Sequence, residues 1–250
     1  VNLIELSKYL EDEALAEKYL LENGILKTWT NCPHCNSDKL GRISRGRIKC
    51  YKCKKEWHKR KNSVLESLKL NNGIFIAAVK LFADGCSIND AGKELGVEKK
   101  TISRLFKTFG ATLSPQAFNK KTFPKEFRVT VNSSNQVEIT PIFAIDATNN
   151  NRENNLLITV KRKREIDNNY SFEVETKENS RGKKEFNQID RFINFVNYNS
   201  QFFRGFQEID YVNFLYETLL RFNNTGNDCL LEIIRKIANS SRVVDLTPPS

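Results

Sequence analysis

Leu and Ile recur at helical spacing among acidic residues over 4–22, IELSKYLEDEALAEKYLLE, until Asn23-Gly24 ends the run. The pattern predicts one amphipathic helix whose apolar stripe packs on the cysteine-rich segment C-terminal to it. Residues 40–49, LGRISRGRIK, alternate apolar and basic positions around Gly46, as a short hairpin does. Helical spacing returns over 72–109. NGIFIAAVKLFADG predicts a helix closed by Gly85. SINDAGKELG opens on Ser87 as N-cap, repeats apolar residues at Ile88, Ala91 and Leu95, and ends at Gly96. VEKKTISRLFKTFG is a further amphipathic helix with Ile102, Leu105 and Phe106 inward. Small Ala91, the Gly96-Val97 turn and Ile102 suit the tight crossing of a helix-turn-helix.

Beyond it, residues 110–127 carry Pro115 and Pro124 with little periodicity and read as a linker. NQVEITPIFAIDATNNN, NLLITVKRKRE and YSFEVETKEN then alternate as three strands with Asn-rich turns. VKRKRE sets Lys161 and Lys163 against Arg162 and Arg164, so both faces are charged. That predicts an edge strand or hairpin guarded by charge, with contact to a DNA backbone as the functional alternative. EFNQIDRFINFVNYN, QEIDYVNFLYETLLRFNN and CLLEIIRKIANSS are helical, their Phe, Leu and Tyr forming core or a dimer face. Three strands followed by helices leave α+β and α/β both open.

Charge sharpens this picture. The 250-residue chain has a net charge of +10, yet residues 1–30 carry three Lys against six acids. Residues 31–61 carry eleven Lys and Arg against two acids. A basic block on a folded motif is the footprint of a polyanion binder. No apolar run reaches the ~18 residues a membrane span needs, and the first residues lack a basic-then-apolar signal pattern. The expected place is cytoplasmic and nucleoid-associated, or nuclear in a eukaryote, where Cys-x-x-Cys pairs act as metal ligands before disulfides.

Two such pairs sit inside the basic block. Cys32-Pro-His-Cys35 and Cys50-Tyr-Lys-Cys53 are separated by 14 residues. Two knuckles supply the four soft ligands of a tetrahedral structural Zn2+, with no position left for water. His34 and His58 are then spare, Trp57 packs over the second knuckle, and Cys86 and Cys229 are ordinary buried thiols. Arg45, Arg47, Lys52, Lys54 and Lys55 of the ribbon are candidates for phosphate contacts. Lys99, Lys100, Thr101, Ser103, Arg104 and Lys107 face outward on the last helix of the helix-turn-helix, where a recognition helix presents side chains to the major groove of double-stranded DNA.

The order of these parts resembles the Merlin-type insertion-sequence transposases, in which DNA-binding modules precede an RNase H-like catalytic domain. The resemblance covers 4–109 and returns late in the chain, where Asn187, Asp190, Phe192 and Arg221-Phe222-Asn223 occupy family positions. It implies a multidomain α+β protein: acidic helix 1–30, zinc ribbon 31–65, helix-turn-helix 66–110, linker 111–128, shortened RNase H-like α/β domain 129–243 and tail 244–250. It also implies catalytic carboxylates holding Mg2+ or Mn2+, for which Asp146 and Asp190 are the candidates. The middle departs from the family's pattern. Aligning VEIT instead puts Thr140 at the first position, no second Asp is evident, and some forty residues before Asn187 are too few for the remaining core. The expectation is a transposase-related, sequence-specific DNA binder with a degenerate, inactive core, its targets including terminal inverted repeats and a homodimer fitting a protein that pairs DNA ends. The alternatives are an active metal-dependent transposase, or a nuclease in which Asp146 or Asp167 joins Glu175 and Lys177. An accessory ribbon that contacts RNA polymerase leaves the helix-turn-helix idle.

Overall fold

The computed structural model describes residues 3–66, 68–114, 126–142, 156–164, 170–177, 187–200, 208–224 and 227–243. They fall into two compact units, Val1–Thr112 with Gly226–Ser250, and Leu113–Thr225.

The first unit opens with α1 (Leu3–Glu11) and α2 (Glu13–Glu22), where the apolar periodicity predicts a single helix. Asp12 divides them. Its backbone is extended at φ −117°, and its carboxylate accepts the free N–H groups of Ala14 (2.8 Å) and Leu15 (3.1 Å). This is N-cap chemistry, which a periodicity of leucines does not reveal. The bend leaves Leu10 and Leu15 exposed while Ala16 and Leu20 are buried. A three-stranded antiparallel sheet comes next, β1 (Leu40–Ile43), β2 (Arg47–Cys50) and β3 (Glu56–His58), in that order.

Helix α3 (Asn72–Ala83) is apolar on almost every side and therefore central rather than superficial. It packs against α1 and α2. The crossing with α1 is close enough that a Cβ on Gly73 would fall 2.1 Å from the Tyr9 carbonyl oxygen. Helix α4 (Ile88–Leu95) is capped as the sequence predicts: Ser87 Oγ accepts from the Asp90 N–H at 3.1 Å, and Gly96 takes the left-handed conformation at φ 61°. Helix α5 (Lys99–Leu113) runs three residues further than its expected end. Ala91, Ile102, Leu105 and Phe106 are buried, and Phe82 meets Phe106 and Phe109 with ring centroids at 5.2 and 5.5 Å.

In the second unit, β4 (Glu126–Val131) and β5 (Val137–Ile142) form a hairpin. Strand β4 starts inside the stretch expected as linker. Its period-2 signal, with Phe127 and Val129 buried, is only six residues long and lies close behind Pro124. Strands β6 (Leu156–Arg164) and β7 (Tyr170–Lys177) complete the order β5-β4-β6-β7. Every neighbouring pair is antiparallel. Of the two classes left open, this is the α+β arrangement, and the parallel pairs of a shortened α/β core are missing among the described residues. Among the described residues, the part of β6 that pairs with β4 is 156–159, and 160–164 pair with β7 and not with β4. Lys161 stands opposite Glu173 in the register. Helices α6 (Asn187–Ser200) and α7 (Glu208–Asn223) cover Phe127, Val129, Val137 and Ile139 with Phe192, Val196 and Leu215.

Helix α8 (Asn227–Val243) belongs to the first unit, although chain order groups it with the strands in the expected domain 129–243. It packs on α3, and Cys229 Sγ lies 3.8 Å from the Ala83 carbonyl oxygen. Its stripe of Leu230, Ile233, Ile234 and Ile237 is buried. Amphipathicity shows that a helix buries one face, but not against which element.

Candidate metal centre and nucleic-acid interface

Both knuckles share one backbone device. After Cys35 and after Cys53 the chain turns left-handed, at Asn36 (φ 55°) and Lys54 (φ 65°). In each, the first cysteine's carbonyl accepts from that residue at 2.9 Å, and its N–H donates 2.9 Å to the carbonyl of the next residue, Ser37 or Lys55. The turn aims N–H groups at sulfur: His34 N–H at Cys32 (3.4 Å) and Cys53 N–H at Cys50 (3.5 Å).

The four Sγ atoms of Cys32, Cys35, Cys50 and Cys53 lie within 4.8 Å of one another. Cys32–Cys53 and Cys35–Cys50 are each 3.6 Å apart. Metal–thiolate bonds of about 2.3 Å in a tetrahedron give sulfur–sulfur edges of roughly 3.8 Å, so the cluster can hold one metal ion. The Cys53 N–H, with burial opposing it, pulls the Cys50 thiol down to about 6. The Ser37 N–H acts the same way on Cys35, but burial and the other three sulfurs outweigh it and push that thiol up to about 11. A cation among the four sulfurs would favour their thiolate forms, so metal binding there would release protons. Trp57 is buried against Cys32, Cys50 and Ile48, as expected, and Trp29 meets it edge-on at 5.5 Å. His34 and His58 are exposed and outside the cluster.

Arg45 and Gly46 form the tip between β1 and β2, both left-handed at φ 58° and 67°. Two such residues make the I′ turn that matches strand twist, a position where Asn-Gly is the relaxed choice. Holding Arg there costs roughly 1 kcal/mol. Lys52, Lys54 and Lys55 are also exposed. Arg47 is about half exposed, but Glu56 sits 3.5 Å from it and 3.3 Å from Lys49.

Arg60 is indistinguishable in sequence from its basic neighbours, and the structure gives it a separate task. Its guanidinium donates to the carbonyls of Leu68 (3.3 Å) and Leu70 (2.7 Å) and to Asn72 Oδ1 (2.8 Å). Glu13 lies 3.6 Å away and accepts the Asn72 N–H on both oxygens, at 3.1 and 2.9 Å. Lys59 pairs with Glu17. The ribbon is thereby bolted to α2 and to the first turn of α3.

On α5, Lys99, Lys100, Arg104 and Lys107 are exposed, and Thr101 and Ser103 half-buried, opposite the buried Ile102 and Leu105. A Cβ on Gly92 would stand 3.1 Å from the Val97 carbonyl oxygen, so the turn before α5 is tight.

Asp146 and Asp167 lie outside the described residues. Asp190 is half-buried in the first turn of α6, its Oδ2 shielded and without a hydrogen-bond partner among the described residues. Glu175 and Lys177 stand opposite Thr159 and Leu157 in the β6–β7 register. Two other residues that the sequence resemblance singled out, Phe222 and Asn223, serve packing. Asn223 accepts the Val137 N–H (2.9 Å) and donates to its carbonyl (2.6 Å), while Phe222 meets Phe192 and Phe195 at 5.2 and 5.8 Å. Among the described residues, no helix is long and apolar enough to cross a membrane. No family model, no curated protein and no solved structure matches the chain.

Proposed function

We propose that this protein binds double-stranded DNA in a sequence-specific manner, as a transposase-related protein without strand-transfer activity. The carrying observation is the exposed cationic stripe Lys99, Lys100, Arg104 and Lys107 on the last helix of a capped helix-turn-helix, within the same compact unit as the basic ribbon. A helix so placed can enter the major groove, and ribbon cations can neutralise phosphates beside it. The strained Arg45 favours this reading, since a turn selected for stability alone carries Asn or Gly. Zn2+ is the metal the four thiols suit, in a structural role, because soft tetrahedral sulfur sites select it and the closed ligand set leaves no reactive position.

Selection from a random duplex pool is expected to yield a preferred site. Arg104→Ala should then cost roughly 1–3 kcal/mol and relax base preference at one position. Lys52→Ala or Lys55→Ala should weaken all sequences alike and flatten the salt dependence. Ribbon variants that change preference while Arg104→Ala does not would reverse the two roles.

One observation favours the alternative of metal-dependent cleavage: the shielded Oδ2 of Asp190, without a partner among the described residues. Against it, the neighbouring pattern residues Phe192, Phe222 and Asn223 are consumed by packing. Asp190→Asn is expected to leave DNA affinity unchanged, and wild type to leave the selected site uncut in Mg2+ or Mn2+. Nicking by wild type that Asp190→Asn abolishes would establish the enzyme reading instead.

A further inference from the structure

Tyr51 sits between the two cysteines of the second knuckle and is 52 % exposed, the most exposed large hydrophobic among the described residues of the first unit. It is held there. Its N–H donates to the Lys39 carbonyl at 2.8 Å, and the phenol end of its ring covers Gly41 on β1. A Cβ on Gly41 would stand 2.3 to 2.7 Å from Oη, Cζ and Cε2, so any larger residue there makes the ring move. Gly41 has no left-handed backbone, so no turn requires glycine there. Around it the ribbon is cationic. Lys39 and Lys52 are exposed and without ion pairs among the described residues, and Lys49 lies directly across from Gly41. A buried core does not need this tyrosine, since Trp57, Ile48 and the cysteines close the ribbon on its other side.

The geometry points to a stacking platform: Tyr51, seated on Gly41 and flanked by Lys39 and Lys52, binds an unpaired base of single-stranded or locally opened DNA. An aromatic face takes any base, and nearby cations follow the phosphates, which together make a sequence-tolerant single-strand site. The inference deepens the DNA-binding reading by giving the ribbon a substrate that the groove-reading helix α5 does not share. A duplex hides its bases from such a platform, so an end, a nick or a kinked step is where it engages.

Fluorescence anisotropy of the full zinc-loaded chain, with a short labelled oligothymidine and with a duplex in parallel, tests this. Tyr51→Ala is expected to weaken oligothymidine binding roughly 5- to 150-fold and Tyr51→Phe to retain it, with duplex binding unchanged in both. Gly41→Ala should produce the same single-strand loss by displacing the ring from its seat. Zinc content and tryptophan emission, matched across the variants, show that the ribbon is intact. Unchanged oligothymidine binding in Tyr51→Ala overturns the inference, as does a loss in Tyr51→Phe equal to that in Tyr51→Ala. Duplex binding that fails in wild type, beside Tyr51-dependent single-strand binding, sinks the groove-reading proposal and leaves this one standing.

Discussion

Stripping the metal from the four-cysteine cluster is expected to unfold the ribbon, and tryptophan emission should report it cleanly. Both tryptophans of the chain, Trp29 and Trp57, pack at the knuckles. The buried core there is Cys32, Ile48, Cys50 and Trp57, far too little apolar surface to offset the conformational entropy of some thirty ordered residues. On the proposed zinc reading, metal binding supplies the folding free energy, about 10–16 kcal/mol for structural zinc near neutral pH. A strong chelator, or Cys50→Ser, should shift the emission to longer wavelength, while far-ultraviolet ellipticity, dominated by the helices outside the ribbon, falls far less. The purified chain should carry one zinc ion. Metal content well below one per chain, or emission indifferent to chelation, would remove zinc from its folding role.

Arg60→Ala is the second large effect expected. Its side chain is 12 % exposed and serves three acceptors besides Glu13. Deleting it strands the Leu68 and Leu70 carbonyls and Asn72 Oδ1, and Asn72 is wholly buried. Charged hydrogen bonds and stranded polar groups together put the loss at about 2–4 kcal/mol in the first unit. Urea unfolding tracked by tryptophan emission at matched zinc content measures it. Arg60→Lys should recover only part, because an ammonium cannot span the acceptors that a guanidinium fork reaches. A change below about 0.5 kcal/mol would mean that water replaces the fork and that the bolt between ribbon and α3 is ornamental.

Local features were legible in the sequence. The knuckles, Ser87, Gly96, the hairpin at Gly46 and the inward face of α5 all declare themselves within a few residues, because the forces that set them act over one turn. What escaped depends on distant partners. Arg60 reaches back to Glu13 and forward to Asn72, and nothing in a run of eleven cations marks it out. Asn223 completes the edge of β5 from 86 residues away. Gly41 reads as an ordinary strand glycine until Tyr51 is placed on it. The break at Asp12 escaped for another reason. Leu10 and Leu15 keep the helical period going, and the cap that interrupts it is one acidic residue among six.

The return of α8 to the first unit has a consequence for the chain as it leaves the ribosome. Cys229 meets Ala83 across 146 positions, so the second unit is, in chain order, an insertion within the first. Its sheet and two helices are contiguous and can finish folding while α3 still lacks its last neighbour. The basic unit is closed only after residues 227–243 emerge, and until then one apolar side of α3 stands open to chaperones or to other nascent chains. A frameshift or stop anywhere in the inserted segment would thus release a ribbon and a helix-turn-helix with their charges in place and their core unsealed. An intact first unit accumulates only from messages translated through α8.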